Sequence, residues 1–547
     1  MRWVALALLL AASQPGRAGE LEPLSAVVHV HSDLTTGDFP LADLVKDAER
    51  QGIGALLLAE NYLLRIEYGL PPFRALTRVV HEEPSVLAGG VERYLDRVAE
   101  VRRQHPRVLI LPGIELLPHY LWTGSPLSLG LTLHDTQNNL LVFGLEDPGA
   151  LRALPVTSNR RSTSYTWQSA LDAVPVLLVV PGVALLLRKR PRPRRIGRAV
   201  VLISRRPWFA GGLLVVLGLV AAVRAWPFAV DRYPPWERFG LEPHQALIDH
   251  VDRLGGVTMW SFPEAADDGQ RQMGLVRVAW ETQPYVDDLL KTFRYAAFGA
   301  LYEQPTRVSE PGGIWDRLLA QYAAGERSRP AWALGESGFH GFTAGKRLGP
   351  VQTVFLVDER SERGVLEALR RGRLYALMRT PELGLQLGDF SVTAAGTVAR
   401  SGDRLRVPPG TPLEVQVAVE ASDGSAQAIR VTLVRNGAPV EAWAGQTPFR
   451  ALYRDTTGDQ PLVFRLDVHS RSPHRLLTSP IFVVGPGGER GGVGGAMSGP
   501  PTWAPVGATE YRGAPRLRRG APSAGGLGAF EAPKRIERAM SGPPTFQ

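Results

Sequence analysis

The chain has 547 residues, 44% of them hydrophobic and 21% charged, enough for two or three domains with a full core. Its formal charge of +9 sits largely in one short basic segment and a Gly/Pro-rich tail, without interleaved aromatic residues, so nucleic acid is not expected as a partner. Cysteine is absent, which excludes disulfides and lipidation at cysteine.

Residues 1–18 read as a secretory signal peptide: Met1-Arg2, an apolar run from Trp3 to Ala12, and small residues up to Gly16-Arg17-Ala18. The next stretch, Val27 to Asn61, opens with alternating apolar residues and two histidines at i and i+2, His29 and His31. On a regular strand both point to one face and can reach one metal ion. Leu41, Leu44, Val45 and Ala48 then recur at helical spacing, Gly52 closes that helix, and Ala55-Leu56-Leu57-Leu58 reads as a second, buried strand. This βαβ pattern places polar residues at strand ends, where α/β folds keep their chemistry.

A helix is expected from Val91 to Gln104. The strand Val108 to Glu115 follows and delivers Glu115 at its end, where a carboxylate can bridge divalent ions. Two apolar stretches, Leu171 to Leu187 and Trp208 to Val223, are each near the lower limit for crossing a bilayer, and Tyr165, Trp167 and Trp226 flank them. The segment between them, 188–206, is rich in arginine and lacks acidic residues. The positive-inside rule places it in the cytoplasm and the flanking regions outside, as the signal peptide also requires. Beyond the hairpin the spacing predicts a helix over Pro243 to Leu254, a strand ending at Phe262-Pro263, helices over Tyr285 to Tyr302 and Ile314 to Ala324, then strand, helix and strand between Thr353 and Met378.

From about Leu385 the pattern turns to short alternating strands with Gly, Pro and Asp turns, including Leu413 to Ala421, Ile429 to Gly437, Leu462 to Ser470 and Ser479 to Val484. That is the pattern of a β-sandwich. Residues 485–547 are dominated by Gly, Pro, Ala and Arg and are expected to be disordered. The heptapeptide AMSGPPT occurs twice there, at 496–502 and 539–545, as a short motif for a protein partner would.

The motifs together resemble the polymerase-and-histidinol-phosphatase (PHP) family of metal-dependent phosphoesterases. The resemblance rests on the HxH strand, the Gly113-Ile114-Glu115 strand end, and the strand ends at Phe262-Pro263 and Ser337-Gly338-Phe339-His340. It implies an α/β fold: a distorted β/α barrel in two parts, 19–165 and 227–384, interrupted by a transmembrane hairpin at 166–226. An Ig-like β-sandwich at 385–484 and the disordered tail complete the chain. The family pattern implies metal ligation by His29, His31, Glu115 and His340, with Glu60 in place of an aspartate, and catalytic roles for Glu115 and His340.

Four positions depart from that pattern. Asn61, Asn139 and Phe262 stand where the family has histidine, and Gly338 where it has aspartate. An amide is a weak ligand for zinc-like ions and a phenyl ring is none. At most one divalent ion (zinc, manganese or iron) is therefore expected, between His29, His31 and Glu115. Two readings follow: a catalytically weak or inactive derivative that binds a ligand or partner through the old pocket, and a single-metal hydrolase acting on a phosphoester or related bond. The expected surroundings are the membrane, with the main domains on its outer, periplasmic side.

Overall fold

The computed structural model describes residues 21–485, apart from Lys189, Arg198, Arg206, Thr343 and Ala344. The expected signal peptide, and the tail with its repeated heptapeptide, lie outside the described residues.

The part that carries the histidines is a ring of strands wrapped by helices. β1 (Glu22–Val30) runs parallel to β2 (Ala55–Leu58), and the chain continues directly into β3 (Glu60–Asn61). β3 pairs with β4 (Gly113–Leu116), β4 with β5 (Leu140–Phe143), and β5 with β6 (Val257–Trp260). β7 (Ala297–Leu301) and β8 (Trp332–Gly335) follow in parallel. The succession then closes on itself: the amides of Ser337 and Phe339 bond the carbonyls of Val28 and His29, and His31 N–H bonds the Phe339 carbonyl. β2 and β4 to β8 are buried at every position, as strands covered on both faces must be. Each buried leucine or valine there contributes about 1.5–3 kcal/mol.

The helices Leu41–Arg50, Val91–Gln104, Glu242–Arg253, Ile314–Ala323 and Glu362–Arg371 fall where the apolar spacing predicts them. The helix expected over Tyr285 to Tyr302 does not form. Only Asp288–Lys291 is helical, and Ala297–Leu301 becomes β7. Ala297 and Phe298 are fully buried between β6 and β8, so backbone pairing on both sides overrides the local helical spacing.

Two helices, Trp167–Leu187 and Trp208–Ala225, are long and apolar enough to cross a membrane by length and composition. They pack closely through small residues: a Cβ placed on Gly182 would lie 3.0 Å from the Gly211 carbonyl, and one on Gly211 would lie 2.9 Å from the Gly182 carbonyl. Their outer faces leave Leu177, Val180, Leu213, Val216 and Val223 exposed. The basic segment between them, read from sequence as a loop, pairs as a two-stranded hairpin, Arg190–Ile196 with Ala199–Arg205.

The C-terminal strands form two layers, one a four-stranded sheet containing Leu385–Ala394 and Pro412–Ala421. The other layer is not separate from the ring. β9 (Val351–Val357) pairs with β1, β10 (Leu374–Met378) with β9, and Arg475–Thr478 with β10, so a single eleven-stranded sheet runs from one region into the other. The turn at Asn436-Gly437, with φ of 50° and 79°, joins two of its strands as expected.

Candidate metal centre

His29 and His31 converge, though not by simple strand alternation. Val28 pairs with Leu57 and Val30 with Leu58, which leaves His29 as the extra residue of a β-bulge. Its φ is +70°, a conformation rare for a residue with a Cβ. The bulge turns the His29 ring toward that of His31, and the two Nε2 atoms lie 3.0 Å apart.

Glu115, near the end of β4, completes the group. Its two oxygens lie 3.5 Å from the Nε2 atoms of His29 and His31. A tetrahedral ion with bonds of about 2.0–2.1 Å holds its ligand atoms about 3.3–3.4 Å apart. The Nε2–Nε2 spacing and the two Nε2–oxygen spacings, each to a different Glu115 oxygen, lie close to that value, and among the described residues these three are the ones whose ligand atoms all lie within 4.8 Å of one another. Asn139 Nδ2 donates to Glu115 Oε1 at 2.8 Å and so orients the carboxylate instead of ligating beside it.

Glu336, just past the end of β8, is a site residue that the motif comparison missed. His29 Nδ1 donates to its Oε1 at 2.7 Å, Ser261 Oγ donates to the same oxygen at 2.6 Å, and the Phe262 amide donates to Oε2 at 2.9 Å. This bond leaves His29 Nε2 facing Glu115 and His31, the carboxylate–histidine arrangement typical of metal-binding imidazoles. Its signal was present in the sequence. Glu336 follows a buried strand, as Glu115 lies near the end of one.

The electrostatics fit a cation. Burial works against charge on His29, but the carboxylates of Glu115 and Glu336 outweigh it and raise its pKa to about 9. The imidazole lies between two carboxylates, and the proton that its Nε2 carries faces Glu115 and His31, where a metal ion would sit. Burial, with His340 and His29 nearby, pushes His31 well below its usual range. Burial also opposes charge on Glu115, yet His29 holds its carboxyl below the usual value.

The other predicted residues stand outside the converging group. Glu60 accepts from Ser32 N–H at 2.8 Å and from the hydroxyls of Ser32 and Thr35, and burial pushes its pKa up to about 7. His340 lies flat on His31, ring centroids 3.9 Å apart, and a ring face offers no lone pair to a shared ion. Its Nδ1 is 3.2 Å from Thr36 Oγ1, which in turn accepts from Asn61 Nδ2 at 2.7 Å. Burial lowers the His340 pKa to about 4. Phe262 stacks on His29 at 5.3 Å, and its ring occupies the space beside Gly338.

No protein-family model and no curated protein matches the chain. Solved structures align with it, among them the following three. A two-domain protein from Bacteroides vulgatus, named as containing a predicted PHP-like metal-dependent phosphoesterase, is 12% identical with a TM-score of 0.31, covering 82% of this chain and 91% of its own. A Bifidobacterium adolescentis protein assigned as a metal-dependent phosphoesterase is 15% identical, TM-score 0.27, covering 63% of this chain and 98% of its own. An amidohydrolase from Chromobacterium violaceum, solved with sulfate and no metal, is 12% identical, TM-score 0.23, over 58% and 87%. At these identities and TM-scores the reading of the site rests on this chain's own geometry.

Proposed function

We propose that this is a membrane-anchored, PHP-type protein with a single-ion centre that performs metal-dependent hydrolysis of a phosphoester or related bond. The observation that carries this reading is the convergence of His29, His31 and Glu115, whose ligand atoms lie within 4.8 Å of one another, with the two Nε2 atoms 3.0 Å apart and each 3.5 Å from one of the Glu115 oxygens. A divalent ion held there supplies Lewis-acid polarisation of an ester oxygen and activation of water. Glu336 fixes His29, and Asn139 fixes Glu115, so the ligand set is pre-oriented. His340, stacked on the His31 ring with its pKa lowered by burial, stands beside the centre as an unprotonated base.

A second reading, a weak or inactive derivative that binds a ligand, draws its support from Phe262. This ring covers one face of His29 in the position the family gives to a ligand. Metal content and activity separate the two. The purified full chain is compared with a His29→Ala/His31→Ala double variant by elemental analysis and by release of nitrophenol from a nitrophenyl phosphodiester. About one equivalent of metal together with turnover, both lost in the variant, supports hydrolysis. Metal without turnover favours the ligand-binding reading, and metal in neither protein sinks the hydrolase and leaves the ligand-binding reading standing.

The hairpin is read as two membrane spans, with residues 188–206 cytoplasmic and the ring and C-terminal strands outside. Apolar faces that stay exposed and the arginines of the connecting segment support this. Because the chain lacks cysteine, single cysteines at Arg195 and Ser422 report sidedness cleanly. A membrane-impermeant maleimide should label Ser422→Cys in intact cells and Arg195→Cys only after lysis.

A further inference from the structure

Where the two hairpin helices meet the globular part, they enclose a cavity of about 340 Å³ with the segment that follows β3. That is the volume of a small-ligand site. Five arginines line it: Arg65, Arg74, Arg78, Arg160 and Arg224. They exceed the three lining carboxylates, Glu67, Asp172 and Asp231, by two. Glu67 lies 3.2 Å from Arg65 and 3.9 Å from Arg78, and Asp172, on the first hairpin helix, lies 3.6 Å from Arg74. Burial and the charge of Glu67 raise the pKa of Asp231 to about 7, so at neutral pH it adds only part of a negative charge.

A structural clamp would use up its guanidinium groups, and this one does not. Arg74 is stacked 3.5 Å above the Trp236 ring and its Nη1 faces Asp172, yet its Nε is buried without a hydrogen-bond partner, as is Nε of Arg78. Buried donors left unpaired are costly, which points to an acceptor that completes them. Arg160 and Arg224 are exposed at the rim and have no carboxylate partner among the described residues. Guanidinium forks match phosphate oxygens in geometry and charge. On one side the cavity is closed by Trp226 and Phe228, at the end of the second apolar helix, whose Leu219 and Val223 are exposed.

We propose that this cavity binds a phosphate-bearing anion: a phospholipid headgroup seated at the membrane surface, or a free phosphate. The lipid source rests on the membrane reading of the hairpin, whereas the anion site does not. The full chain is placed in nanodiscs of phosphatidylcholine doped with phosphatidylglycerol, and retained lipid is counted by native mass spectrometry. In parallel, inorganic phosphate is titrated into the detergent-solubilised chain by calorimetry.

The variants are Arg160→Gln/Arg224→Gln, at exposed positions that leave folding undisturbed, and Arg74→Gln. Phosphatidylglycerol retained in preference to phosphatidylcholine, and at least about tenfold more weakly in both variants, supports the lipid source. Phosphate binding that the variants weaken, without selective lipid retention, supports the anion site and assigns it to free phosphate. Equal behaviour of wild type and variants in both arms, or no binding in either, overturns the proposal. A chain that fails to enter the discs removes the membrane reading, and the phosphate arm still decides the cavity.

Discussion

His29 and Glu336 are 307 residues apart in sequence and joined by a 2.7 Å bond from Nδ1 to Oε1. The bond crosses the seam where the ring of strands closes, so ring closure and imidazole orientation are one event. It fixes the Nε2 face toward Glu115 and places negative charge behind the ring, which makes His29 a better donor to a cation.

Glu336→Gln keeps the shape and removes the charge. Its amide group must also meet the Phe262 amide, the Ser261 hydroxyl or His29 Nδ1, so at least one bond is lost or reversed. Metal affinity should fall by about 10–100-fold, read by competition with a chromophoric zinc chelator. Unchanged affinity would mean that Glu336 plays no part in orienting the ligand.

A second long-range pair ties the ring region to the C-terminal layers. Arg465 forks onto Asp316 with bonds of 2.7 and 2.6 Å, and both side chains are buried. Asp316 also accepts from the Gly312 amide at 2.8 Å, and the guanidinium lies 4.8 Å from the Trp315 ring. Removing one partner leaves the other as a buried unpaired charge. Arg465→Met should therefore destabilise the chain by about 3–5 kcal/mol, and Arg465→Met/Asp316→Leu by clearly less. Chemical denaturation of both variants checks this, and a double variant no better than the single one would refute it.

Much of this architecture is written locally. The helical spacing of Leu41, Leu44, Val45 and Ala48, and the position of Glu115 near a strand end, identify the elements and the third ligand without tertiary information. What sequence hides is non-local. Nothing near His29 announces the bulge, because it arises from register against β2. Nothing in Tyr285 to Tyr302 shows that β6 and β8 will recruit it as a strand. The continuity of one sheet through β10 and Arg475–Thr478 depends on partners about a hundred residues apart, and short alternating strands do not name their neighbours. Glu336 was hidden for a different reason, since the family pattern directs attention to Ser337, Gly338 and His340.

Asp467 gives a pH signature. Burial would raise its pKa, but hydrogen bonds from His469 and from Arg475, the latter at 3.0 and 2.8 Å, hold it far below the usual carboxylate range. A group depressed in the folded state stabilises above its unfolded pKa, about 4, and loses that contribution as pH falls toward the folded value. The melting temperature of the wild type should drop more steeply below about pH 4 than that of Asp467→Asn, which starts lower and lacks this titration. Parallel curves would show that other carboxylates govern the acid limb.

Phe262 and Gly338 form the last coupled pair, and the phenyl ring decides whether a larger residue fits at position 338. A Cβ at Gly338 would lie 2.6 Å from Phe262 Cζ, and Gly338 has a φ of +57°. The phenyl ring cannot swing away freely, since it stacks on His29 at 5.3 Å and meets Tyr302 edge-on at 5.0 Å. Gly338→Asp alone should therefore cost about 1–3 kcal/mol through overpacking. Phe262→His shortens the ring and frees that space, so the double variant should be more stable than the sum of the singles predicts, by about 1 kcal/mol. Denaturation of the two singles and the double closes this cycle. Additivity within about 0.5 kcal/mol would mean that the ring moves aside unaided, and that the substitutions at 262 and 338 are independent.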